Sequence, residues 1–321
     1  MVDCTIHMKH VSSREPTVKI QRGWLVVALG LSTLGASAPA FAQKLATDDL
    51  SLLPADSEMV GGLNFAQLQT TVLWKKYVAP LLAGGDFQAT LNELKAKCKV
   101  DAMQLVTRIS FGIKVSGSDG APEGVIVAHG VPKARLVACY GLKGTKKLGA
   151  DVTVDGDVVI VNAKDGRNVA FSFVDDSTAL IVMGKNATRA GIKALATGQS
   201  GLKTSPAFVE LYKKTSTTDT MWMLMNGNSK AFEELAKTGI RPRAVFGSIR
   251  VAHDISLDFR MRFATPEEAQ RVAGVVQPQV QQAAAMFDKL VVTSDGPDVR
   301  VEIGIADAKL KVLMKQYGPT P

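Results

Sequence analysis

The sequence predicts an α+β fold: antiparallel sheets with helices packed on one face, built from a duplicated β-α-β-β-α-β-β unit. Three observations carry this. Apolar residues recur at every second position over several segments, as in Ile109, Phe111, Ile113 and Val115, or Ile255, Leu257, Phe259, Met261 and Phe263. That is the period of a strand with one buried face. Elsewhere the period lengthens to that of one helix face, as in Phe87, Leu91 and Leu94. Between strands stand tight-turn pairs such as Asp155-Gly156 and Asp295-Gly296, which favour hairpins and therefore antiparallel neighbours.

In chain order, residues 57–64 read as a strand and 65–82 as a helix carried by Phe65, Leu68, Val72 and Leu73 and stopped by Gly84-Gly85. A second helix follows over 86–98. Strands over 107–115 and 124–130 flank the turn Gly117-Ser118-Asp119-Gly120. Pro132 opens a helix to about 142, because the first helical turn does not need the missing N–H. Strands at 152–154 and 158–161 flank Asp155-Gly156. A further hairpin, 169–173 with 179–183 across Asp175-Asp176, and helices over 186–196 and 205–214 read as an insert.

The second half repeats the order. An apolar strand covers 220–226, a helix capped by Ser229 runs to about 238, and a hairpin pairs 245–252 with 255–263. Thr265-Pro266-Glu267-Glu268 is a capping box with Pro in the first turn; its helix runs on to Phe287, with Pro278 as a kink point. Strands 290–294 and 298–305 flank Asp295-Gly296, and Asp307 caps a last helix that Gly318 ends. Between the halves Asn64 matches Asn226, Pro132 matches Pro266 and Gly156 matches Gly296. The expected divisions are 1–42, 43–200 and 201–321, with a flexible joint over 198–203.

Residues 1–42 have the three parts of a cleavable secretory signal. Lys9, Arg14, Lys19 and Arg22 make a positive start, 24–34 is apolar and uncharged, and Ala40-Phe41-Ala42 puts small residues at the cleavage site. The apolar run is short of the roughly 20 residues that span a bilayer. The expected mature chain begins near Gln43, with Met8 an alternative start, and contains no transmembrane segment. Its expected location is the periplasm or outside the cell. Of 38 basic and 30 acidic residues, cleavage leaves 34 and 28, a net charge of +6. This permits attraction to anionic surfaces such as lipid head groups. With export, and with no basic tract, nucleic acid is not an expected partner.

Cys98 and Cys139 remain after cleavage. A bond between them would close a loop of about 40 residues and contribute about 4 kcal/mol in the chain-entropy model; two buried thiols are the other reading. No catalytic, cofactor or metal motif emerges. His129 ends an apolar strand and His253 stands with Asp254 in a turn, far from the three or four close ligands that zinc requires. Gly198-Gln199-Ser200-Gly201 lacks the register of a nucleophile elbow, and Gly141-Leu142-Lys143-Gly144-Thr145-Lys146 lacks the order of a phosphate loop. Asp175-Asp176 reads as a turn. Asn186-Ala187-Thr188 fits a glycosylation sequon only in a eukaryotic secretory path.

Two features carry ligand interest. Met221, Trp222, Met223, Leu224 and Met225 form an unbroken apolar run; soft Met side chains line adaptable pockets, though a central strand buried on both faces explains the run more simply. Arg260 and Arg262 share one strand face, with Arg250 across the hairpin; a basic sheet face can receive an anionic partner, though cross-strand pairing with Asp254 and Asp258 explains them more simply.

Leu53-Pro54-Ala55-Asp56-Ser57, with Leu63-Asn64 and Trp74-Lys75-Lys76, and Ser205-Pro206-Ala207-Phe208 ahead of Trp222, resemble phrases of uncharacterised exported proteins of Gram-negative bacteria. The resemblance implies an exported α+β fold and brings no activity. The expected function is a non-catalytic exported protein that binds a partner or ligand, a hydrophobic-ligand carrier in its sharpest form. The alternative is a periplasmic hydrolase whose site is assembled from distant loops around His129 or His253.

Overall fold

The computed structural model describes residues 49–82, 88, 92, 95–96, 98–99, 101–114, 123–141, 150–163, 168–198, 201–229 and 232–317. The expected leader, the Gly117–Gly120 turn and most of the 86–98 helix lie outside these residues. Twelve strands are described: β1 Met59–Leu63, β2 Arg108–Lys114, β3 Glu123–His129, β4 Ala150–Asp155, β5 Val158–Ala163, β6 Asn168–Phe173, β7 Thr178–Met183, β8 Met221–Asn226, β9 Ala244–Val251, β10 Ile255–Arg262, β11 Lys289–Asp295 and β12 Asp298–Ile305. They form one sheet, in the order β11-β12-β10-β9-β8-β1-β2-β3-β7-β6-β5-β4, with every pair antiparallel.

The α+β class and antiparallel pairing are as expected. The plural sheets are not. β1 pairs with β8 along its whole length, Met59 opposite Met225 and Leu63 opposite Met221, so the two halves share a single sheet. Nor do helices keep to one face. The side chains of Val60, Val125, Val127, Leu180, Trp222, Leu224 and Phe246 share one side of the sheet, and helices α1 (Asp49–Leu52), α6 (Arg189–Ala196) and α7 (Pro206–Lys213) pack on them through Leu50, Ile192, Phe208 and Leu211. The opposite side is covered at one end by α2 (Phe65–Thr70), the π turn Trp74–Val78 and α5 (Lys133–Gly141), through Phe65, Trp74 and Leu136. At the other end α9 (Pro266–Ala283) lies over it through Ala269, Val272 and Ala273. We call these the first and second faces. Strand alternation shows only that one side is drier than the other; it does not say whether the wetter side is also covered.

Local signals account for most boundaries. Asn64 accepts from the Gln67 N–H at 3.2 Å and starts α2. Thr188 and Ser205 cap α6 and α7 through the Gly191 and Phe208 N–H groups. Thr265 accepts from the Glu268 N–H at 3.2 Å, and Glu268 Oε2 reaches back to the Ala264 N–H at 3.2 Å, so the box satisfies two otherwise orphaned donors. α9 runs through Pro278 to Ala283 and finishes in a 3₁₀ turn, Ala284–Met286. Helix 65–82 is broken at Thr71, whose hydroxyl accepts from the Trp74 N–H at 3.1 Å and restarts it as a π turn and then α3 (Ala79–Leu82). Within the stretch expected as a joint, Gly201 bridges to Pro54 and Leu202 is buried against the first-face core.

Candidate functional site

Two places in the fold hold chemistry. The first is polar. β2 alternates Arg108, Ser110 and Gly112 with Ile109, Phe111 and Ile113, which points its polar residues at the first face. There the α1 helix brings Asp49 down onto them. The Asp49 side chain is 3% exposed. His129 Nε2 lies 2.8 Å from its Oδ1 and 3.0 Å from its Oδ2. Ser110 Oγ donates to Oδ2 at 2.7 Å, and Arg108 Nη2 stands 3.5 Å from the same oxygen. Thr178 Oγ1 is 3.3 Å from His129 Nδ1 on the far side of the ring.

The Nε2 edge of the ring faces the Asp49 carboxylate, and its Nδ1 edge faces the Thr178 hydroxyl. Arg108 Nη2 also lies 2.9 Å from Nε2, so the Asp49 carboxylate, the guanidinium and the imidazole meet at one point. Burial works to raise the Asp49 pKa; the contacts with His129, Ser110 and Arg108 outweigh it and keep the carboxyl below the usual carboxylate range. Burial also pushes the neighbouring Tyr212 phenol up.

A hydroxyl nucleophile needs a base within reach and a path for substrate. Ser110 gives its proton to Asp49 and is 1% exposed, while Thr178 is 4% exposed. The cluster thus acts as a clamp that pins α1 to β2 and β3. His253, the other candidate base, is exposed in the β9–β10 turn, and β2, β1 and β8 lie between the two histidine-bearing strands. Among the described residues no group of three His, Cys, Asp or Glu side chains is placed to hold a metal ion. Cys98 is disulfide-bonded; the Cys139 side chain lies outside the described residues, so its pairing with Cys98 stays a proposal.

The expected ligand surface divides between the faces. Trp222 is 3% exposed on the first face, and its ring meets Tyr212 edge-on at 5.2 Å. Arg250, Arg260 and Arg262 are on that face too; Arg260 and Arg262 stand beside carboxylates, while Arg250 meets a serine hydroxyl. Arg262 is gripped by buried Asp298 and by Glu210, which sits 3.0 Å away. Arg260 lies near Asp258 and Asp295, and Arg250 donates to Ser256. Arg300 fastens Asp258 through two bonds of 2.9 and 2.6 Å, and these hydrogen bonds hold that carboxyl below its usual pKa. A cavity of about 410 Å³ opens on this charged patch; carboxylates such as Asp219, Asp254, Asp288 and Glu302 outnumber Arg250 and Lys289 in its lining. An anionic ligand therefore finds no ready-made basic pocket here.

The second place is apolar. The methionines face the opposite way from Trp222, and β8 is not buried on both sides as expected: Met221 is 40% exposed, and Met223 and Met225 are half-buried. Met223 stands in a row that crosses the second face from edge to edge. One way it passes Gly61, Phe111, Ile126, Ile181, Phe171, Val159 and Val154. The other way it passes Gly247, Phe259, Val301 and Val292. Every member is apolar.

Gly61 and Gly247, the cross-strand neighbours of Met223, are required by close approach. A Cβ on Gly61 would stand 2.5 Å from Phe111 Cζ, and one on Gly247 would stand 2.7 Å from Phe259 Cδ1. The two rings lie over the bare backbone and leave Met223 between them. Both ends of the row join the helix-covered clusters. Among the described residues the middle does not: Met59, Phe111, Met221, Met223, Met225, Val245, Ile249 and Phe259 belong to none of the three core clusters.

No protein-family model, curated protein or solved structure matches the chain. Both places therefore rest on their own geometry. Among the described residues, no helix is long and apolar enough to cross a membrane.

Proposed function

We propose that this is an exported, non-catalytic carrier of a hydrophobic ligand, with the middle of the second face as its seat. The observation that carries the reading is the half-exposed methionine strip between two helix-covered ends. A contiguous apolar surface is costly to leave in water, and unbranched thioethers adapt to chains of varied shape. The ligand that fits is an acyl chain: flexible, uncharged along its length and able to lie across Met223 between the Phe111 and Phe259 rings. The leader-like first 42 residues and the resemblance to exported Gram-negative proteins support a periplasmic or secreted location.

The same proposal includes a duplicated origin. Outward from the β1–β8 pair, one half reads β1-β2-β3-β7-β6 and the other β8-β9-β10-β12-β11. The Asn64 N–H donates to Thr220 O and the Asn226 N–H to Glu58 O, each at 2.8 Å, a reciprocal pair between matched positions. Counted outward from the centre, β6–β7 corresponds to β11–β12 in the strand order, which supports a duplication in which the hairpin at Gly156 is an addition. On this reading the divisions at 43–200 and 201–321 mark two units of one sheet.

The test is uptake of a dansyl-labelled fatty acid by the mature protein. Wild type is expected to bind it, Met223→Leu to bind it comparably, and Met223→Arg to bind it about tenfold more weakly, because a guanidinium must be desolvated against the chain. Equal melting temperatures for the two variants tie the loss to the seat. Absence of uptake by wild type would remove the carrier reading.

A further inference from the structure

The charged side chains of the described strands all belong to the first face. Arg108, Asp258, Arg262 and Glu302 share the register phase of buried Trp222 and Phe246. Positions in phase with Met223 are apolar or glycine, with Ser294 the polar exception. One cation departs from this division. Arg243 stands one residue ahead of β9, and the Gly227 N–H donates to its carbonyl at 2.9 Å, so the β8–β9 ladder runs on for one more pair. Alternation turns Arg243 to the second face, in phase with Val245, Gly247 and Ile249.

Arg243 is exposed. On the first face Arg108, Arg260, Arg262 and Arg300 each stand beside a carboxylate. Among the described residues no carboxylate stands beside Arg243; Glu233, on the helix α8 (Glu233–Lys237) that joins β8 to β9, is exposed and makes no ion pair with it. The neighbouring ground is apolar. Val245, the next residue on the same face, lies between Met225 and Met261 in one register row, and Met59 follows Met225. The Phe111 and Phe259 rings, lying over Gly61 and Gly247, wall a groove that runs along β8 with Met221, Met223 and Met225 as its floor. Past Met225 the floor is Gly227, which has no side chain to separate the groove from Arg243. From 221 to 227 the groove is about 20 Å long.

We propose that Arg243 is the anchor for the anionic head of an amphiphilic ligand whose chain lies along the β8 groove. This rests on the carrier reading and deepens it, because it names the ligand class and its direction. A guanidinium presents a planar fork of donors that matches the paired oxygens of a carboxylate or a phosphate ester. A long chain carrying such a head places its charge at the groove mouth, beside water, and its methylenes on the methionines. The reverse orientation takes the charge to the Met221 end, away from Arg243, where no charged side chain of the described strands shares that face.

The test is displacement of a neutral naphthylamine fluorophore from the mature protein by dodecanoate, dodecyl phosphate or dodecanol, at about pH 8, where the carboxyl is ionised. At least one of the two anions is expected to bind roughly tenfold more tightly than the alcohol, the scale of a hydrogen-bonded charge pair, and the tighter of the two identifies the head group. Arg243→Gln should bring that anion down to the level of dodecanol and leave dodecanol binding unchanged, which also shows that the groove is intact. Lys193→Gln removes an exposed first-face cation and is expected to change nothing. Dodecanol binding as tightly as both anions, or Arg243→Gln weakening alcohol and anions alike, would overturn the anchor while leaving carriage standing. If none of the three displaces the fluorophore, carriage itself fails and the anchor with it.

Discussion

Asp49→Ala is expected to cost the fold about 3–5 kcal/mol, the range for breaking a buried charge pair from one side, read as a fall of roughly 10 °C in Tm for a chain of this size. The carboxylate is the only anion in contact with Arg108 and His129 among the described residues, and those side chains are 13% and 18% exposed. Removing it leaves the Arg108 guanidinium with no anion beside it among the described residues and the Ser110 hydroxyl without its acceptor. α1 should detach first, because the cluster is its main polar tie to the sheet; faster amide exchange over 49–53 would report it.

The same residue sets part of the acid limb. Its folded pKa lies below the unfolded value of about 3.9. The folded state therefore binds the proton less readily than the unfolded chain does. The stabilisation is complete above the unfolded pKa and is lost as pH falls through the folded one. Stability of the wild type should drop below about pH 4 more steeply than that of Asp49→Asn, which has no proton to gain there; parallel acid limbs would contradict the assignment. Asp258 and Asp175, also held low, keep some slope in both.

The second large effect is expected at Asp298. Its side chain is wholly buried at the start of β12 and accepts from Arg262 Nε, from Arg262 Nη2 at 3.0 Å and from Lys214 Nζ at 3.3 Å. Arg262 also lies with its guanidinium carbon 5.9 Å from the centre of the Phe246 ring. Asp298→Ala strands a mostly buried guanidinium whose remaining carboxylate, Glu210, is 56% exposed. A loss of about 3 kcal/mol is expected, with α7 and the β10–β12 pair loosening together. Glu210→Ala removes only an exposed partner and should cost well under 1 kcal/mol. If the two variants melt alike by calorimetry, the buried pair is not what ties α7 to the second half.

Much of the fold was legible because its signals are local. Alternation in Ile255–Phe263, the Asp-Gly turns and the Thr265 box each act within a few residues, and each gave the element found. What the sequence concealed is long-range. Asp49 meets Arg108, Ser110 and His129 across 59, 61 and 80 residues, and no spacing rule reaches that far. Arg108 and Ser110 even suggested a wet face, since polar residues alternating with apolar ones are what a solvated strand face shows. Only the unforeseen cover of helices on that side makes the face dry. The pairing of β1 with β8 was hidden for the same reason: neither strand carries a mark that names its partner. In the apolar run 221–225 the residue types were plain, but their division between a buried Trp222 side and a half-exposed methionine side depends on which face the helices leave open.

The central claim is that the methionine strip is where a ligand lies. Its most direct test is photolabelling of the mature protein with a diazirine-bearing fatty acid, followed by peptide mapping. Label is expected on peptides from β1, β8 and β9, with Met223 and Met225 among the modified residues, and unlabelled oleate should compete it away. Label falling instead on the first-face helices α6 and α7, or spread without competition over the surface, would contradict the account.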